Sequence, residues 1–341
     1  MYRISVIEGD GIGPHIVGLA LGLLRRLGDL YGFGLEFIDA PAGDAVKARV
    51  GEALPKDSLR AISGSDACLK GPVGETARDV IVYLRQRLDL YANIRPFKTY
   101  RGIRSHWSDV DFVIVRENTE DVYKSVEDVG GDHGVAMLII TRRATERIAR
   151  TAFEMALSRR RKVTVIHKGN VVRSYQFFRD ICYEVASSYK DVAVDEMYVD
   201  NAAYQMILNP QQFDVLLTPN MFGDILSDEA AGIVGTIGVA GSANIGDSFG
   251  LFEPVHGSAP TLNPAYANPT AQLLASKMML EWLGRTRDDV NVLRAAAALE
   301  KALEEVLDTG KVLTPDLGGS STASTFVNAV IGKIAEAYGK G

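Results

Sequence analysis

Two aspartates lie four residues apart in the stretch NMFGDILSDE, residues 220–229, between two apolar runs. Asp224 and Asp228 share one face if this segment is helical, because residues i and i+4 are neighbours on a helix surface. Acidic side chains are favoured in the first turn of a helix, so the pair alone is also compatible with a solvated helix start. Burial of the pair would require a cation. The spacing therefore makes both residues candidate ligands of a metal ion.

Three arginines are candidates for binding an acidic substrate. Arg85 lies in TARDVIVYLRQRLD, Arg95 in YANIRP and Arg116 in IVREN. A guanidinium pairs with a carboxylate through two parallel hydrogen bonds, so three converging arginines would suit a substrate with two carboxylates. Helical spacing puts three further residues on the face that carries Arg85: Arg78, Ile81 and Val82. The plainer interpretation of this stripe is core aliphatics flanked by arginines that reach solvent.

Three more polar residues follow predicted strands. Tyr123 lies seven residues after Arg116, Lys168 follows KVTVIH, and Asp200 follows VDEMYV. The carboxyl ends of strands are where open α/β sheets bind ligands. Each residue alone is weak support for a site. Combined with the aspartates and arginines, they indicate a hard divalent cation with oxygen ligands, Mg²⁺ or Mn²⁺.

The elements that must position these residues alternate between short Val- and Ile-rich runs and helical patterns, which predicts an α/β fold with a substantial parallel component and helix-covered strands. ETARDVIVYLRQRLDL is predicted to be one helix, and the metal-ligand helix is predicted to begin near Phe222. EGDGIGP follows the first strand, but Pro14 replaces the third glycine of a dinucleotide-binding fingerprint, so an ordinary Rossmann site is not predicted. Residues 127–141 interrupt the alternation and are predicted to form a hairpin or arm, either at a subunit interface or as a satellite sheet.

The composition limits the class of protein. The 341 residues are 47% hydrophobic and 23% charged, with a net charge of −6, which is typical of a soluble globular protein. The sequence lacks a basic run that would predict a nucleic-acid partner, and it lacks an apolar window long enough to predict a membrane span. No signal-peptide pattern is evident. Two cysteines in apolar surroundings indicate a reducing compartment, and we expect a cytoplasmic protein.

The ordered motifs resemble the β-decarboxylating dehydrogenases, the family of isopropylmalate, isocitrate and homoisocitrate dehydrogenases. The resemblance runs along the whole chain through EGDGIGP, LKGPVG, LRQRLDLYANIRP, VRENTEDVY, HKGNV, NMFGDILSDEAAGIVG, FEPVHGSAP and TPDLGG. It implies a two-domain fold with a cleft and an intersubunit arm, in a homodimer that shares its active sites. One domain would comprise residues 1–96 and 236–341, and the other residues 97–235, with the metal ligands and the dimer contact.

The resemblance also implies a role for each candidate residue. Arg85, Arg95 and Arg116 would bind the malate carboxylates. Asp224 and Asp228 would hold Mg²⁺ or Mn²⁺ together with Asp200 from the neighbouring subunit. Lys168, also from the neighbour, would accept the hydroxyl proton as hydride leaves for the nicotinamide, and Tyr123 would protonate the enol carbon after CO₂ departs.

The substrate is predicted from the residues before Arg85. Isocitrate enzymes carry Ser and Asn where this chain has Asp79 and Ile81, and homoisocitrate enzymes often carry Arg where it has Val82. Ile81 and Val82 would form an apolar wall for an isopropyl group, with burial worth about 2 kcal/mol, and Asp79 would repel a third carboxylate. Isopropylmalate is therefore the first choice. Arg78 is the opposing observation, because it could bind a distal carboxylate and so keeps isocitrate and homoisocitrate as alternatives.

The cofactor is predicted to be NAD, with NADP as the alternative. The adenosine-binding loop of the family matches His256, Gly257, Ser258, Ala259 and Asn268. NAD-using relatives place Asp where this chain has Thr261, and NADP-using relatives place Lys and Tyr there, so neither pattern is complete. A catalytically silent regulatory subunit is a less favoured interpretation, because such a subunit has no need of the full set of site residues.

Overall fold

The computed structural model describes residues 1–339. Within that range the α-helices are α1 Gly13–Tyr31, α2 Asp44–Val50, α3 Lys56–Ser63, α4 Tyr83–Arg87, α5 Arg142–Leu157, α6 Arg173–Ala186, α7 Val199–Leu208, α8 Asn220–Val234, α9 Thr270–Thr286, α10 Val290–Thr309 and α11 Ala323–Tyr338. The strands are β1 Tyr2–Ile7, β2 Leu35–Asp39, β3 Ala67–Lys70, β4 Ala92–Lys98, β5 Asp111–Glu117, β6 Glu127–Val129, β7 Gly134–Ala136, β8 Lys162–His167, β9 Ala193–Tyr198, β10 Val215–Thr218, β11 Gly241–Ile245 and β12 Gly250–Pro254.

Ten of these strands form one mixed sheet in the order β2-β1-β3-β12-β11-β4-β5-β10-β8-β9. The wing β2-β1-β3-β12 and the wing β5-β10-β8-β9 are parallel, and the central pairs β12-β11, β11-β4 and β4-β5 are antiparallel. Helices cover this sheet, and most buried apolar side chains belong to one large core. The predicted α/β fold with a substantial parallel component is confirmed.

The parallel wing β5-β10-β8-β9 explains how distant residues reach one edge of the sheet. Arg116 lies near the carboxyl end of β5, Lys168 directly follows β8, and Asp200 lies in the first turn of α7 after β9. Helix α8 begins two residues after β10. Because these strands run in the same direction, all four connections leave the sheet at the same edge.

The stretch before Arg85 differs from its prediction as a single α-helix. Residues Arg78–Val82 form a π turn, in which the Tyr83 N–H donates to the carbonyl of Arg78, and a short α4 follows. A π turn places about one more residue in each turn than an α-helix does, so α-helical spacing does not hold across it. Ile81 consequently packs in a second apolar cluster with Val80 and Leu84.

Other boundaries shift by a few residues. Helix α8 begins at Asn220 rather than near Phe222, and α1 has Pro14 in its first turn. Gly11 has a positive φ of 57°, and a Cβ at this position would collide with the carbonyl oxygen of Ser258. The glycine loop therefore packs against the predicted adenosine-binding loop instead of forming an ordinary dinucleotide fingerprint.

Residues 127–141 contain the predicted hairpin. β6 and β7 pair with each other in an antiparallel two-stranded sheet that is separate from the large one. Val129 and Val135 on this hairpin are exposed. No helix within residues 1–339 is both long enough and apolar enough to cross a membrane.

Candidate active site

Asp224 on α8 lies at the centre of a cluster of three predicted site residues. Its Oδ1 is 2.5 Å from Arg116 Nη1 and 3.3 Å from Arg95 Nη1. Its Oδ2 accepts a hydrogen bond of 2.6 Å from the Tyr123 hydroxyl. Burial by itself would raise the pKa of Asp224, but Arg116 and Arg95 outweigh burial and hold the pKa well below its usual range. Asp224 is therefore a carboxylate at neutral pH.

Arg116 is fully buried and is held on several sides. Its Nε and Nη2 donate to Asn220 Oδ1 at 3.0 and 2.6 Å, and its guanidinium lies 5.2 Å from the centre of the Tyr123 ring. Gly223 permits this packing, because a Cβ there would lie 2.7 Å from Arg116 Cγ. Burial and the charge of Arg95 lower the pKa of Arg116 to about 9, which leaves it cationic at neutral pH.

Tyr123 is positioned to hold a proton. Burial, followed by the hydrogen bond to Asp224, raises the pKa of Tyr123 to about 12. Its phenol therefore stays protonated over the whole physiological range. A protonated phenol beside buried arginines can act as a proton donor.

A buried polar network holds the guanidinium of Arg85 in place. Its Nε donates to Asn244 Oδ1 at 2.9 Å and its Nη2 to Glu253 Oε1 at 3.2 Å. Lys70 Nζ lies 2.7 Å from Glu253 Oε2, and the side chains of Lys70, Arg85 and Glu253 are each less than 10% exposed. Burial raises the pKa of Glu253, but Lys70 and Arg85 outweigh it and lower the pKa to about 2. The network thus fixes an ionised Glu253 that orients Arg85.

Asn244 links this network to the neighbouring strands. Its Oδ1 also accepts hydrogen bonds from Asn118 Nδ2 at 2.9 Å and Asn93 Nδ2 at 3.1 Å. Its own Nδ2 donates to Glu253 Oε1 at 2.9 Å. The amide therefore connects β4, β11 and β12 directly under Arg85.

The three arginines lie around one carboxylate. Arg116 and Arg95 contact Asp224 directly, and against the effect of burial the charge of Arg85 also acts to lower the pKa of the Asp224 carboxyl. Four cations, Arg85, Arg95, Arg116 and Lys70, surround the two carboxylates of Asp224 and Glu253, so positive charge is in surplus. Such a site can bind a dianionic substrate, which is the substrate class that the sequence predicts.

Asp228 lies one turn after Asp224 on α8, and although the residue is exposed, its carboxyl is partly buried. Burial of its carboxyl and the nearby charge of Asp224 raise its pKa, while Arg95 and Arg116 oppose the rise. Two carboxylates that repel each other one turn apart are a donor set that fits a hard divalent cation. The residues present therefore fit Mg²⁺ or Mn²⁺, with two ligands from α8.

Lys168 and Asp200 lie elsewhere in the same chain. Lys168 Nζ is 2.7 Å from Asp200 Oδ1, and this hydrogen bond lowers the pKa of Asp200. Among residues 1–339, no three His, Cys, Asp or Glu side chains are grouped closely enough to hold a metal. Within one chain the structure therefore does not bring Asp200 together with Asp224 and Asp228. The assignment of Asp200 as a ligand from a neighbouring subunit stays a prediction.

Ile81 and Val82, which are predicted to form an apolar wall for the substrate side group, differ in their surroundings. Ile81 is 7% exposed and packs mainly in the second apolar cluster, whereas Val82 is half-buried. Arg78 forms an ion pair of 2.7 Å with Glu127, and Asp79 forms one of 3.2 Å with Lys47. Both charged residues of this stretch therefore have partners.

A separate cavity of about 360 Å³ contains most of the predicted cofactor residues. His256, Gly257, Ala259 and Asn268 line it, whereas Ser258 is buried behind it and its carbonyl accepts the Ile12 N–H at 3.0 Å. Thr261 is exposed and is not among the lining residues. The remaining lining residues are Ile12, Thr236, Ile237, Gly238, Leu262, Tyr266, Pro315 and Asp316.

Several functional candidates were not singled out in the sequence. Lys70 and Glu253 lie in the motifs LKGPVG and FEPVHGSAP, but nothing local indicates that they pair across 183 residues. Asp316 lies in TPDLGG and accepts a hydrogen bond of 3.0 Å from Asn268 Nδ2. The motifs were the available signal, and the pairings required the fold.

Comparisons with known proteins identify the family of this chain. The family described as isocitrate/isopropylmalate dehydrogenase matches residues 3–330. The 3-isopropylmalate dehydrogenase of Sulfurisphaera tokodaii is 48% identical over 98% of this chain and 99% of its own length. The isocitrate/homoisocitrate dehydrogenase of Thermus thermophilus is 44% identical over 97% of this chain and 98% of its own length. The crystal structure of isocitrate dehydrogenase from Methylococcus capsulatus matches with a TM-score of 0.90 and 39% identity, over 98% of this chain and 99% of that one. The chain therefore belongs to the isocitrate/isopropylmalate dehydrogenase family, which its motifs predicted.

Proposed function

We propose that the protein is a 3-isopropylmalate dehydrogenase, which oxidises 3-isopropylmalate with NAD⁺ and releases CO₂, NADH and 2-oxoisocaproate. The observation that carries the proposal is the character of the stretch before Arg85. Val82, three residues before Arg85, is half-buried, and the charged residues that precede it, Arg78 and Asp79, are paired with Glu127 and Lys47. An apolar side chain next to neutralised charges suits an isopropyl group. The names of the Sulfurisphaera relative and of others at 44–48% identity support this choice.

The arginines would bind the part of the substrate that all family members share. Arg85 uses Nε and Nη2 for Asn244 and Glu253, so Nη1 is the group left to bind a carboxylate. Arg95 and Arg116 both contact Asp224 and would hold the second carboxylate beside it. Because these cations are buried and fixed, the substrate is bound without further side-chain ordering.

Proton transfer would involve two residues. Lys168, from a second copy of the chain, would accept the hydroxyl proton while hydride leaves for the nicotinamide. Tyr123 would donate its phenolic proton to the enol carbon once CO₂ has left, and its pKa of about 12 keeps that proton in place beforehand. Asp224, Asp228 and Asp200 of a second copy would hold Mg²⁺ or Mn²⁺, which polarises the keto oxygen and stabilises negative charge on it.

The cofactor cavity favours NAD, with NADP as the alternative. The His256 and Asn268 side chains and the backbone at Gly257 line a cavity large enough for an adenosine group. Asp316 also lines it, and a carboxylate there would repel a 2′-phosphate. No lysine is among the lining residues. These features together support NAD despite the absence of an Asp at position 261.

A homodimer with shared active sites would complete the metal site. Tyr204 and Ile207 on α7 and Ile225 on the metal-ligand helix α8 are each more than half exposed, and they would form an apolar contact surface. The hairpin, with the exposed Val129 and Val135, would be the intersubunit arm. Apolar patches of this kind commonly mark protein–protein contacts. The cleft would lie between two domains, residues 1–96 with 236–341 and residues 97–235.

The buried free thiols of Cys68 and Cys182 support a cytoplasmic enzyme.

Subunit mixing tests the shared site. Homodimers of Tyr123→Phe and of Lys168→Met should each lose activity by at least about a hundredfold. Mixed dimers of the two variants should recover about a quarter to a half of wild-type activity, because one of their two sites is then intact. Failure of the mixture to recover activity, with mixed dimers demonstrated by mass spectrometry, would show that each subunit carries a complete site.

A substrate panel tests the function itself. Steady-state kcat/KM should be measured for 3-isopropylmalate, isocitrate and homoisocitrate, each with NAD⁺ and with NADP⁺ in the presence of Mg²⁺ or Mn²⁺. We expect 3-isopropylmalate with NAD⁺ to be preferred at least tenfold. A tenfold preference for isocitrate or homoisocitrate would reject the proposed substrate.

A further inference from the structure

The ion pair between Arg78 and Glu127 joins two segments that are distant in the sequence, the stretch before Arg85 and the hairpin. Arg78 begins the π turn that leads to Arg85, and Glu127 begins the hairpin strand β6. Arg78 Nη2 lies 2.7 Å from Glu127 Oε1, and the two side chains are 64% and 35% exposed. The pair therefore lies at the solvent side of this stretch and is accessible to a ligand.

A second contact shows where the Arg78–Glu127 ion pair lies relative to Tyr123. Gln86 Nε2 donates to the carbonyl oxygen of Tyr123 at 2.9 Å. The segment 123–127 thus runs along the stretch 78–86, with Tyr123 opposite Gln86 and Glu127 opposite Arg78. Val82 lies between these two contacts along the chain, about one turn from each. The ion pair consequently lies beyond Val82, on the side away from Arg85.

We propose that Glu127 is a specificity-determining residue that keeps Arg78 from binding a substrate side group with a carboxylate. This inference rests on the proposed function, because it assumes that the side group of the malate extends along Val82 from Arg85. A free Arg78 could pair with a distal carboxylate. Paired with Glu127, it presents almost no net charge to that side group, and an uncharged alkyl group loses nothing by comparison.

The acidic residues next to Arg78 and Glu127 have partners of their own. Asp79 is paired with Lys47 at 3.2 Å, so these two charges offset each other beside Arg78. Asp128, one residue after Glu127, lies 3.1 Å from His133 within the hairpin. Arg78 is therefore the cation whose availability Glu127 controls.

The effect should be modest because the pair is exposed. Ion pairs between exposed side chains are weak, and releasing Arg78 should change the affinity for a carboxylate by about two- to fivefold. The substrate choice would thus be adjustable by a single surface residue without rebuilding the buried site. Such weak control suits a residue that tunes selectivity rather than one that carries the reaction.

The test compares Glu127→Gln with a matched control, Asp128→Asn, which removes the same charge from the same hairpin but not from Arg78. Glu127→Gln should raise kcat/KM for isocitrate about two- to fivefold, mainly through a lower KM, and leave the value for 3-isopropylmalate within about twofold. Asp128→Asn should change neither. Adding Arg78→Met to Glu127→Gln should remove the gain. Thermal unfolding of each variant checks that the fold is intact.

Failure of this inference is distinguishable from failure of the proposed function. If wild type prefers isocitrate, the proposed substrate is wrong whatever the variants do. The role of Glu127 is overturned if Glu127→Gln leaves the ratio of kcat/KM for isocitrate to kcat/KM for 3-isopropylmalate unchanged, or lowers kcat/KM for isocitrate. It is also overturned if the gain for isocitrate persists when Arg78→Met is added. An equal gain in Asp128→Asn would likewise overturn it, because net charge alone would then explain the change.

Discussion

The two ends of the stretch 78–87 use the same kinds of residue in opposite ways. At one end Arg85 is buried with Glu253 and Lys70, and Asn244 joins the first two by hydrogen bonds. At the other end Arg78 makes one exposed ion pair with Glu127. Both ends pair an arginine with a glutamate, but only the first does so out of contact with water.

This difference in burial matches two functions within the proposed site, binding of the shared malate group and selection of the side group. Buried ion pairs are costly to form and costly to break, so Arg85 has a fixed position. Exposed pairs contribute little to stability and exchange partners easily, so Arg78 can respond to one substitution. The buried end suits the malate group common to all substrates, and the exposed end suits the side group that differs among them.

The largest effect should come from breaking the buried end. Glu253→Gln would leave Lys70 buried without a counter-ion, and we expect the free energy of unfolding to fall by about 3–5 kcal/mol. Glu127→Gln, which removes the glutamate of the exposed pair, should cost less than about 1 kcal/mol. Urea unfolding of both variants measures the difference. Equal losses in the two variants would show that the two ends do not differ energetically.

The pH dependence of this loss sharpens the comparison. The pKa of Glu253 is lowered to about 2 in the folded protein, so its contribution to stability is fully present above the pKa of about 4.5 that an unperturbed Glu has. It is lost as the pH falls from about 4.5 towards 2. The stability gap between wild type and Glu253→Gln should therefore stay constant from pH 7 to 5 and narrow below pH 4.5. A gap that narrows already between pH 7 and 5 would contradict the assigned pKa.

A large loss of activity is expected next, at the carboxylate that the buried arginines surround. Asp224→Asn should lower kcat by at least about a hundredfold, because a proposed metal ligand is lost. A chelator should abolish turnover of the wild-type enzyme, and added Mn²⁺ should restore it. Glu229→Gln, on the same helix, is the matched control and should stay within about twofold. Wild-type turnover by Asp224→Asn, or by wild type with the chelator present, would reject metal-dependent catalysis.

The smallest effect should come from the other exposed pair. Asp79→Asn removes the partner of Lys47, and both side chains are about half exposed. We expect the free energy of unfolding to change by less than about 1 kcal/mol and kcat/KM for 3-isopropylmalate to stay within about twofold. A loss of more than tenfold in kcat/KM would mean that Asp79 contacts the substrate.

The sequence predicted the features that depend on local spacing or on family motifs. The helix that carries Asp224 and Asp228, the hairpin in residues 127–141 and the α/β fold are confirmed, because an i, i+4 pair, a break in alternation and a strand–helix rhythm are all local patterns. The prediction of one α-helix through Arg78–Val82 is wrong, because hydrophobic spacing cannot distinguish a π turn within a helix.

Long-range pairings could not be predicted in this way. Lys70 meets Glu253 because β3 pairs with β12, and that adjacency depends on the strand order of the whole sheet. The sequence predicts that Arg78 is available to a substrate carboxylate, and its pairing with Glu127 depends on where the hairpin folds back. The chemistry of individual residues was therefore more predictable than their partners.

The most direct test of the separation between the two ends is the selectivity of Arg85→Met. If Arg85 binds only the malate group, kcat/KM for 3-isopropylmalate and for isocitrate should both fall at least tenfold, while their ratio stays within about twofold of the wild-type ratio. Thermal unfolding controls for loss of structure. A ratio that shifts tenfold or more would contradict the account, because the buried arginine would then also choose the side group.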